Sequence, residues 1–349
     1  MKKNYSLEYI WIDGVGNGVL RCKNRIITMA TPCVTLDMVP VWNFDGSSTG
    51  QADTVSDSER FLKPVCICVD PFVPATETET ATAGFLVLCA TYNDINLQHP
   101  SRNNHYHTAA DILDKHKATR PWFGFEQEFF FVNEEQEQKE QKEQKQGPYY
   151  CGVGAAPNMG AQRQLMHTFM QHCLRAGLSL YGTNAEVAPN QWEFQIGTVE
   201  GLAAAHELWL GRYILLRTAE VAAAAHRVSF DPKPHAALNG SGCHANFSNI
   251  FTRSQTYGFA NMKRMFDQLH QHHAQHIAHY GDNTKRLTGH HETSDINDFT
   301  WSVAGRHTSV RVGQEVAQKG HGYFEDRRPA SDCDPYLVAA LLVQTTILL

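Results

Sequence analysis

The residues with most capacity for chemistry are carboxylates set among apolar neighbours. In Pro121-Trp122-Phe123-Gly124-Phe125-Glu126-Gln127-Glu128-Phe129-Phe130-Phe131 the aromatic run predicts a buried strand. Glu126 and Glu128 lie two apart, so their side chains point the same way. Two like charges on one face of a buried strand repel and are poorly solvated unless a cation neutralises them. The alternative is a sheet edge, where both face solvent. A second pair, Glu186 and Glu193, flanks the turn-forming Pro189-Asn190 between two short strands, so a hairpin would bring them to one side. Four glutamates would then surround two cations.

A third element is Gly242-Cys243-His244-Ala245-Asn246-Phe247-Ser248, where alternation sets His244, Asn246 and Ser248 on one face. His244 is either a ligand or an ordinary core or surface histidine. In Gly322-Tyr323-Phe324-Glu325-Asp326-Arg327-Arg328, alternation groups Tyr323, Glu325 and Arg327. These three suit a purine, a metal and an anion respectively, or else a surface ion-pair cluster. Oxygen ligands with one imidazole suit Mg²⁺ or Mn²⁺. No GxxxxGK[ST] or GxGxxG pattern occurs, so a nucleotide's phosphates would fall to metals and to Arg286, Arg306, Arg311, Arg327 and Arg328.

The elements that must position these groups predict an α+β protein of two domains. Short β-segments fill residues 1–98, and after a boundary near 96–102 long helices alternate with strands over 102–349. Helices are predicted over about 160–176, 201–227, 257–279 and 335–348, the last capped by Asp334 with Pro335 at its first position. The stretch 133–146 (NEEQEQKEQKEQKQ) has nothing apolar to bury and reads as a solvated or disordered loop. The histidines of Leu269-His270-Gln271-His272-His273-Ala274-Gln275-His276 fall on several faces of a helix, which predicts a solvated helix rather than a metal store.

The net charge of −6 gives no reason to expect nucleic acid or an anionic membrane as partner. Nine cysteines stand singly, without a CxxC pair, which argues against a disulfide framework or a zinc site. No apolar run approaches a membrane span, and the reading is cytoplasmic.

Taken together the motifs resemble the glutamine synthetase family, in its type II, eukaryotic-like branch. The resemblance covers nearly the whole chain. It is carried by Trp42-to-Thr49 (WNFDGSST), Trp122-to-Glu128, Gly147-to-Gly154 (GPYYCGVG), Asn184-to-Gly197, Phe230-to-Pro234 (FDPKP), Asn239-to-His244 (NGSGCH), Arg286-to-Thr293 (RLTGHHET) and Gly322-to-Pro329. It implies a small β-grasp-like N-terminal domain and a catalytic domain with a curved antiparallel sheet. The implied reaction joins ammonium to L-glutamate with ATP, through a γ-glutamyl phosphate, using two or three Mg²⁺ or Mn²⁺ ions.

By the same resemblance Glu128, Glu186 and Glu193 look like ligands of one metal, and Glu126, His244 and Glu325 like those of the second. Asn239, Gly240, Arg286, Arg306 and Arg327 match positions around glutamate or its phosphorylated intermediate. Glu126, Glu193, Asn246, Ser248, Arg306, Arg311 and Tyr323 match positions around ATP. Asp45 resembles the group that takes a proton from ammonium, and Glu292 the flap residue that shuts out water. Asp45 and Ser48 would serve a neighbouring subunit's site in a decamer of two pentameric rings. Two other readings keep the fold: a ligase for a larger amine, and a catalytically silent relative.

Overall fold

A computed structural model describes residues 2–16, 18–30, 34–74, 83–132, 147–222 and 227–347. The low-complexity stretch 133–146 lies outside the described residues. The chain forms two compact units, Met1–His107 with Gln171–Leu178, and Thr108–Met170 with Ser179–Leu349.

The first unit is built on five strands: β1 (Lys3–Ile12), β2 (Leu20–Met29), β3 (Trp42–Asp45), β4 (Glu59–Val69) and β5 (Ala83–Tyr92). Their order is β2-β1-β5-β4-β3, with β1 and β5 parallel and the other pairs antiparallel. Tyr5, Leu7, Tyr9 and Trp11 alternate along β1, and together with Phe44, Leu62 and Val87 they form this unit's core. β3 ends in a turn where Asp45 accepts hydrogen bonds from the Ser47 and Ser48 hydroxyls, at 2.7 and 2.6 Å.

The second unit holds an eight-stranded sheet. Its strands are β6 (Trp122–Val132), β7 (Leu180–Ala185), β8 (Gln191–Glu200), β9 (Arg227–Ser229), β10 (Cys243–Ser248), β11 (Trp301–Val303), β12 (Val310–Val312) and β13 (Phe324–Asp326). They run in the order β11-β12-β13-β10-β6-β8-β7, with β9 beside the far end of β6. All pairs are antiparallel except β11 and β12. Since β6 sits between β10 and β8, the sheet-edge alternative for Glu126 and Glu128 falls away.

Seven α-helices accompany the strands among the described residues: α1 (His105–Lys115), α2 (Met159–Ala176), α3 (Ala203–Val221), α4 (Gly258–Gln271), α5 (His273–Ile277), α6 (Gln314–Lys319) and α7 (Pro335–Thr345). α3 packs on β6, β8 and α7. Its Arg212 donates to the Gln127 side chain and to the Ser331 and Cys333 carbonyls, satisfying polar groups under the sheet. α7 starts as the sequence predicts, with Asp334 accepting from the Tyr336 amide and Pro335 in the first turn.

Two helix expectations need correction. The helix expected over 201–227 stops at Val221, because Arg227–Ser229 pairs with Phe130–Val132 as a strand, and ladder bonding there overrides helix propensity. The helix expected over 257–279 is broken at His272, whose backbone leaves the helical region. That break turns His273 and His276 inward, so the solvated-helix reading fails for these two, while His270 and His272 remain exposed. His276 bonds the Tyr280 hydroxyl at 2.7 Å and Thr345 Oγ1 at 2.8 Å.

Both buried histidines face Arg328, each at 3.2 Å. Arg328 donates Nε and Nη2 to the two Asp326 carboxylate oxygens at 2.8 and 2.7 Å, and both side chains are fully buried. Asp326 and Arg328 therefore anchor the back of β13, leaving the alternate residues Glu325 and Arg327 for its front. Removing one partner of a buried pair strands the other's charge. Asp326→Ala should lower unfolding stability by about 3–5 kcal/mol. His272→Ala should stay within about 0.5 kcal/mol of the parent and retain turnover. Denaturant unfolding of both variants tests the pair; equal stabilities would refute it.

Candidate active site

The strand registers assemble the site. Glu128 lies directly opposite Glu193 across β6 and β8, and Glu126 directly opposite His244 across β6 and β10. Glu325 on β13 is paired with Asn246 on one side and Arg311 on the other. Glu186 follows β7 and is bound into the connection to β8, its amide donating to the Gln191 carbonyl at 2.8 Å. Two clusters result: Glu128, Glu186 and Glu193 in one, Glu126, His244 and Glu325 in the other. In each cluster the potential ligand atoms lie within 4.8 Å of one another.

The two clusters are neutralised differently. In the second, Glu325 accepts from Arg327 Nη1 at 2.5 Å and from Arg311 Nη1 at 2.8 Å, so it is not part of a surface ion-pair cluster but a buried group. His244 Nδ1 sits 3.5 Å from both Glu126 and Glu325. Asn246 Nδ2 donates to Glu126 Oε1 at 2.8 Å. In the first cluster no ion pair reaches any of the three glutamates among the described residues. Glu128 accepts the Gly242 amide at 2.6 Å, Glu186 accepts Asn184 Nδ2 at 2.9 Å, and Glu193 accepts the Gln195 amide group.

Neutral hydrogen bonds do not offset three buried negative charges. Burial, followed by the charge of Glu186, pushes the Glu128 carboxyl up, and burial with the charge of Glu292 raises Glu186. Burial raises Glu193 well above the ordinary range, with Glu126, Glu128 and Glu186 adding to it. Burial, then the charge of Arg327, holds His244 well below its ordinary value, which leaves the ring neutral and able to ligate. Carboxylate oxygens in one cluster, and carboxylates with a neutral imidazole in the other, fit Mg²⁺ or Mn²⁺.

Gly242 is needed where it stands: an added Cβ would lie 2.5 Å from Arg286 Nη2 and 2.6 Å from His244 Nε2. Arg286 itself is buried and engaged by the protein. It donates to Asn283 Oδ1 and to the Arg327 and Arg328 carbonyls, and it lies 3.3 Å from His244 Nε2. Its direct effect is thus to fix β10 against the Arg327 backbone. Arg327 keeps a buried Nε with no hydrogen-bond partner among the described residues, an unspent donor beside the carboxylates. Its Nη2 lies 3.4 Å from the carbonyl oxygen of Glu292. His291 and Glu292 both take left-handed backbone conformations, φ 53° and 62°, a strain uncommon outside functional loops.

A cavity of about 690 Å³ opens in front of the clusters. Glu126, Glu186, Glu193, Asn246, Ser248, Arg306, Arg311 and Tyr323 line it. Asn239 and Gly240 lie just upstream of β10, the Gly240 carbonyl accepting from Gln191 at 3.0 Å. Asp45 and Ser48 belong to the first unit and are exposed; the bonds from Ser48 first and Ser47 second hold the Asp45 carboxyl at about 2. Sequence reasoning missed Trp122 and Arg253, which also line the cavity, with the guanidinium 4.2 Å from the indole centroid. Period-two alternation from Glu126 back to Trp122 carried the signal for the indole; Arg253 follows β10 in a loop and had none.

A mixed α+β fold whose interior strand β6 contributes one glutamate to each of two such clusters defines a class of catalytic domain, and residues 102–348 match the family described as the glutamine synthetase catalytic domain. Similarity extends beyond that domain. The chain is 43% identical over 350 residues to glutamine synthetase cytosolic isozyme 1-1 of Arabidopsis thaliana, covering 98% of this chain and 93% of that protein. It is 43% identical over 347 residues to glutamine synthetase of Agaricus bisporus, at 98% and 93% coverage. It is 42% identical over 351 residues to a probable glutamine synthetase of Caenorhabditis elegans, at 97% and 91%. The chain belongs to the glutamine synthetase family, of the type found in plants, fungi and nematodes.

The raised carboxylates make a signed prediction. They hold protons more tightly folded than unfolded, so their contribution is greatest below the ordinary carboxylate range and is lost as pH rises through their folded values. A cation that displaces those protons reverses the loss. In chelator, the melting temperature should fall from about pH 5 to about pH 8 because of these groups. Mg²⁺ or Mn²⁺ at one fixed concentration, a hundredfold above the Kd at about pH 8, should restore about 2.7 kcal/mol per site there and less at about pH 5, where protons compete for the ligands. Equal restoration at both pH values would refute the assignment.

Proposed function

We propose that the protein ligates ammonia to L-glutamate at the expense of ATP, giving L-glutamine, ADP and phosphate through γ-glutamyl phosphate. The observation that carries this reading is the pair of buried carboxylate clusters facing an arginine-lined cavity. Its support in kinship is the family and the names of the relatives above.

In the proposed cycle a glutamate γ-carboxylate oxygen attacks the γ-phosphorus of ATP and ADP leaves. Ammonia then attacks the acyl carbon and phosphate departs. The carboxylate needs this activation because it is a poor electrophile. Two or three Mg²⁺ or Mn²⁺ ions, held by Glu128, Glu186 and Glu193 and by Glu126, His244 and Glu325, would screen the charge of phosphates and carboxylate. The chain's own groups do the rest. Arg306, Arg311 and Arg327 receive the charge that develops on the transferring phosphoryl group, and the Arg327 Nε, unpartnered among the described residues, is a donor available for it. Asn239, Gly240 and Arg286 shape the glutamate side, Arg286 by holding the Arg327 backbone. Asn246, Ser248 and Tyr323 take the nucleotide, whose base packs against the Trp122–Arg253 plate.

Asp45, already an anion at neutral pH, attracts ammonium and accepts its proton once ammonia is in place. With Ser48 it would complete a neighbouring subunit's site in a decamer of two five-membered rings. Among the described residues no helix is long and apolar enough to cross a membrane. A cytoplasmic location is supported by the cytosolic relative.

The decisive assay supplies ATP, Mg²⁺ and glutamate with and without ammonium, and measures glutamine and phosphate. Equal, ammonium-dependent yields are expected; a preference for methylamine or ethanolamine would favour the larger-amine ligase, and no turnover by folded oligomer the silent relative. Glu292 guards the intermediate from water in this scheme. Glu292→Ala should keep phosphate release but drop glutamine formed per ATP clearly below one, and an unchanged ratio would remove Glu292 from that role.

A further inference from the structure

Two irregularities in the eight-stranded sheet fall at the cavity. β7 and β8 pair Leu180 with Ile196 and Gly182 with Gln195, which leaves Tyr181 without a cross-strand partner. β6 and β8 pair Phe123 with Val199 and Gly124 with Gly197, which leaves Thr198 in the same position. An extra residue in one strand bends it and re-aims a side chain, and such bulges collect beside active sites. Both unpaired residues line the cavity, along with Trp122 and Tyr323.

The bulges are flanked by glycines that leave no room for a side chain, one against backbone and one against a side chain. Gly197 has φ +114°, and a Cβ there would come within 2.6 Å of the Phe123 carbonyl oxygen. Beyond the other bulge, a Cβ on Gly182 would lie 2.8 Å from Gln195 Oε1. Tyr181 is thus turned by a tightly fitted stretch of sheet, yet the residue is 85% exposed. A lone exposed aromatic is ordinary on a protein surface. One re-aimed by a bulge onto the wall of a cavity that also holds a fixed indole is not.

Trp122 is fixed from several sides. Its indole nitrogen donates to Glu200 at 2.7 Å, and Arg120 donates to the same oxygen at 3.1 Å. Arg253, stacked on the ring, is tied to Ser248 Oγ and to the Arg120 carbonyl. The Trp122 end of the cavity is therefore a rigid plate of indole backed by guanidinium, while carboxylates of the two clusters with Arg306 and Arg311 form another part of the lining.

We infer that Tyr181 is a specificity-determining residue that supplies a second aromatic surface to the base of the bound nucleotide and favours a purine. The inference rests on the ATP-dependent reading proposed above. A base stacks on an aromatic ring irrespective of hydrogen-bonding pattern, and a purine offers the larger face. Tyr181 acts on the nucleoside end alone, so glutamate binding and the chemical steps do not depend on it.

Calorimetric titration with Mg²⁺-ATP and Mg²⁺-CTP, beside steady-state kinetics, tests this on the full-length oligomer. Tyr181→Ala should weaken ATP binding roughly five- to tenfold and CTP binding less. Tyr181→Phe should stay within about twofold of the parent, and at saturating ATP kcat and KM for glutamate should hold in both. Parent-like ATP affinity in Tyr181→Ala, a Tyr181→Phe defect as large as that of Tyr181→Ala, or an equal loss for CTP would overturn the inference. A parent that binds Mg²⁺-ATP but makes no glutamine would refute the ligase reading and leave the Tyr181 comparison standing; one that binds no ATP would refute both.

Discussion

Mutual repulsion among Glu126, Glu128, Glu186, Glu193 and Glu325 is the constraint on which the rest of the second unit depends. Glu126, Glu128, Glu193 and Glu325 lie on interior strands and Glu186 in the connection from β7 to β8, where backbone hydrogen bonds and the packing of α3 prevent them from moving apart. Arginines balance Glu325, but among the described residues Glu128, Glu186 and Glu193 have only neutral donors to accept from. Such an arrangement is unfavourable without a cation, and a fold keeps it at a cost to stability where the cation serves chemistry. The remaining features can be read as responses to that charge.

One response is the two-sided construction of β13. Its back is closed by the buried Asp326–Arg328 pair with His273, His276 and Tyr280, and its front presents Glu325 and Arg327. A buried, bidentate pair specifies one register, because slipping the strand by a single residue would exchange the two faces. Arg286 works from the other side, joining the carbonyls of Arg327 and Arg328 to the His244 ring. Cationic groups and potential ligands are thereby held by contacts that do not involve any substrate, which is what positioning for phosphoryl transfer requires.

Much of this was legible because a strand's period of two is insensitive to distant context. Alternation alone aligned Glu126 with Glu128, His244 with Asn246 and Ser248, and Tyr323 with Glu325 and Arg327, and the sheet then brought these rows side by side. What alternation does not contain is the place where it fails. The bulges at Tyr181 and Thr198 arise from how three strands close on one another, so neither residue drew notice. The end of α3 was overrun because strand pairing by Arg227–Ser229 depends on β6, nearly a hundred residues earlier in the sequence. The inward turn of His273 and His276 depends on Arg328, 55 and 52 residues away. Each miss is a case of tertiary pairing overriding a local pattern.

The measurement that bears most directly on the two-cluster account is anomalous diffraction from crystals of the protein grown with Mn²⁺. The account predicts one peak among the carboxylates of Glu128, Glu186 and Glu193 and a second among Glu126, His244 and Glu325, at coordination distances of roughly 2.0–2.5 Å. Crystals that bind no Mn²⁺ at either cluster, with the glutamates of the first instead protonated and bonded to one another, would contradict it.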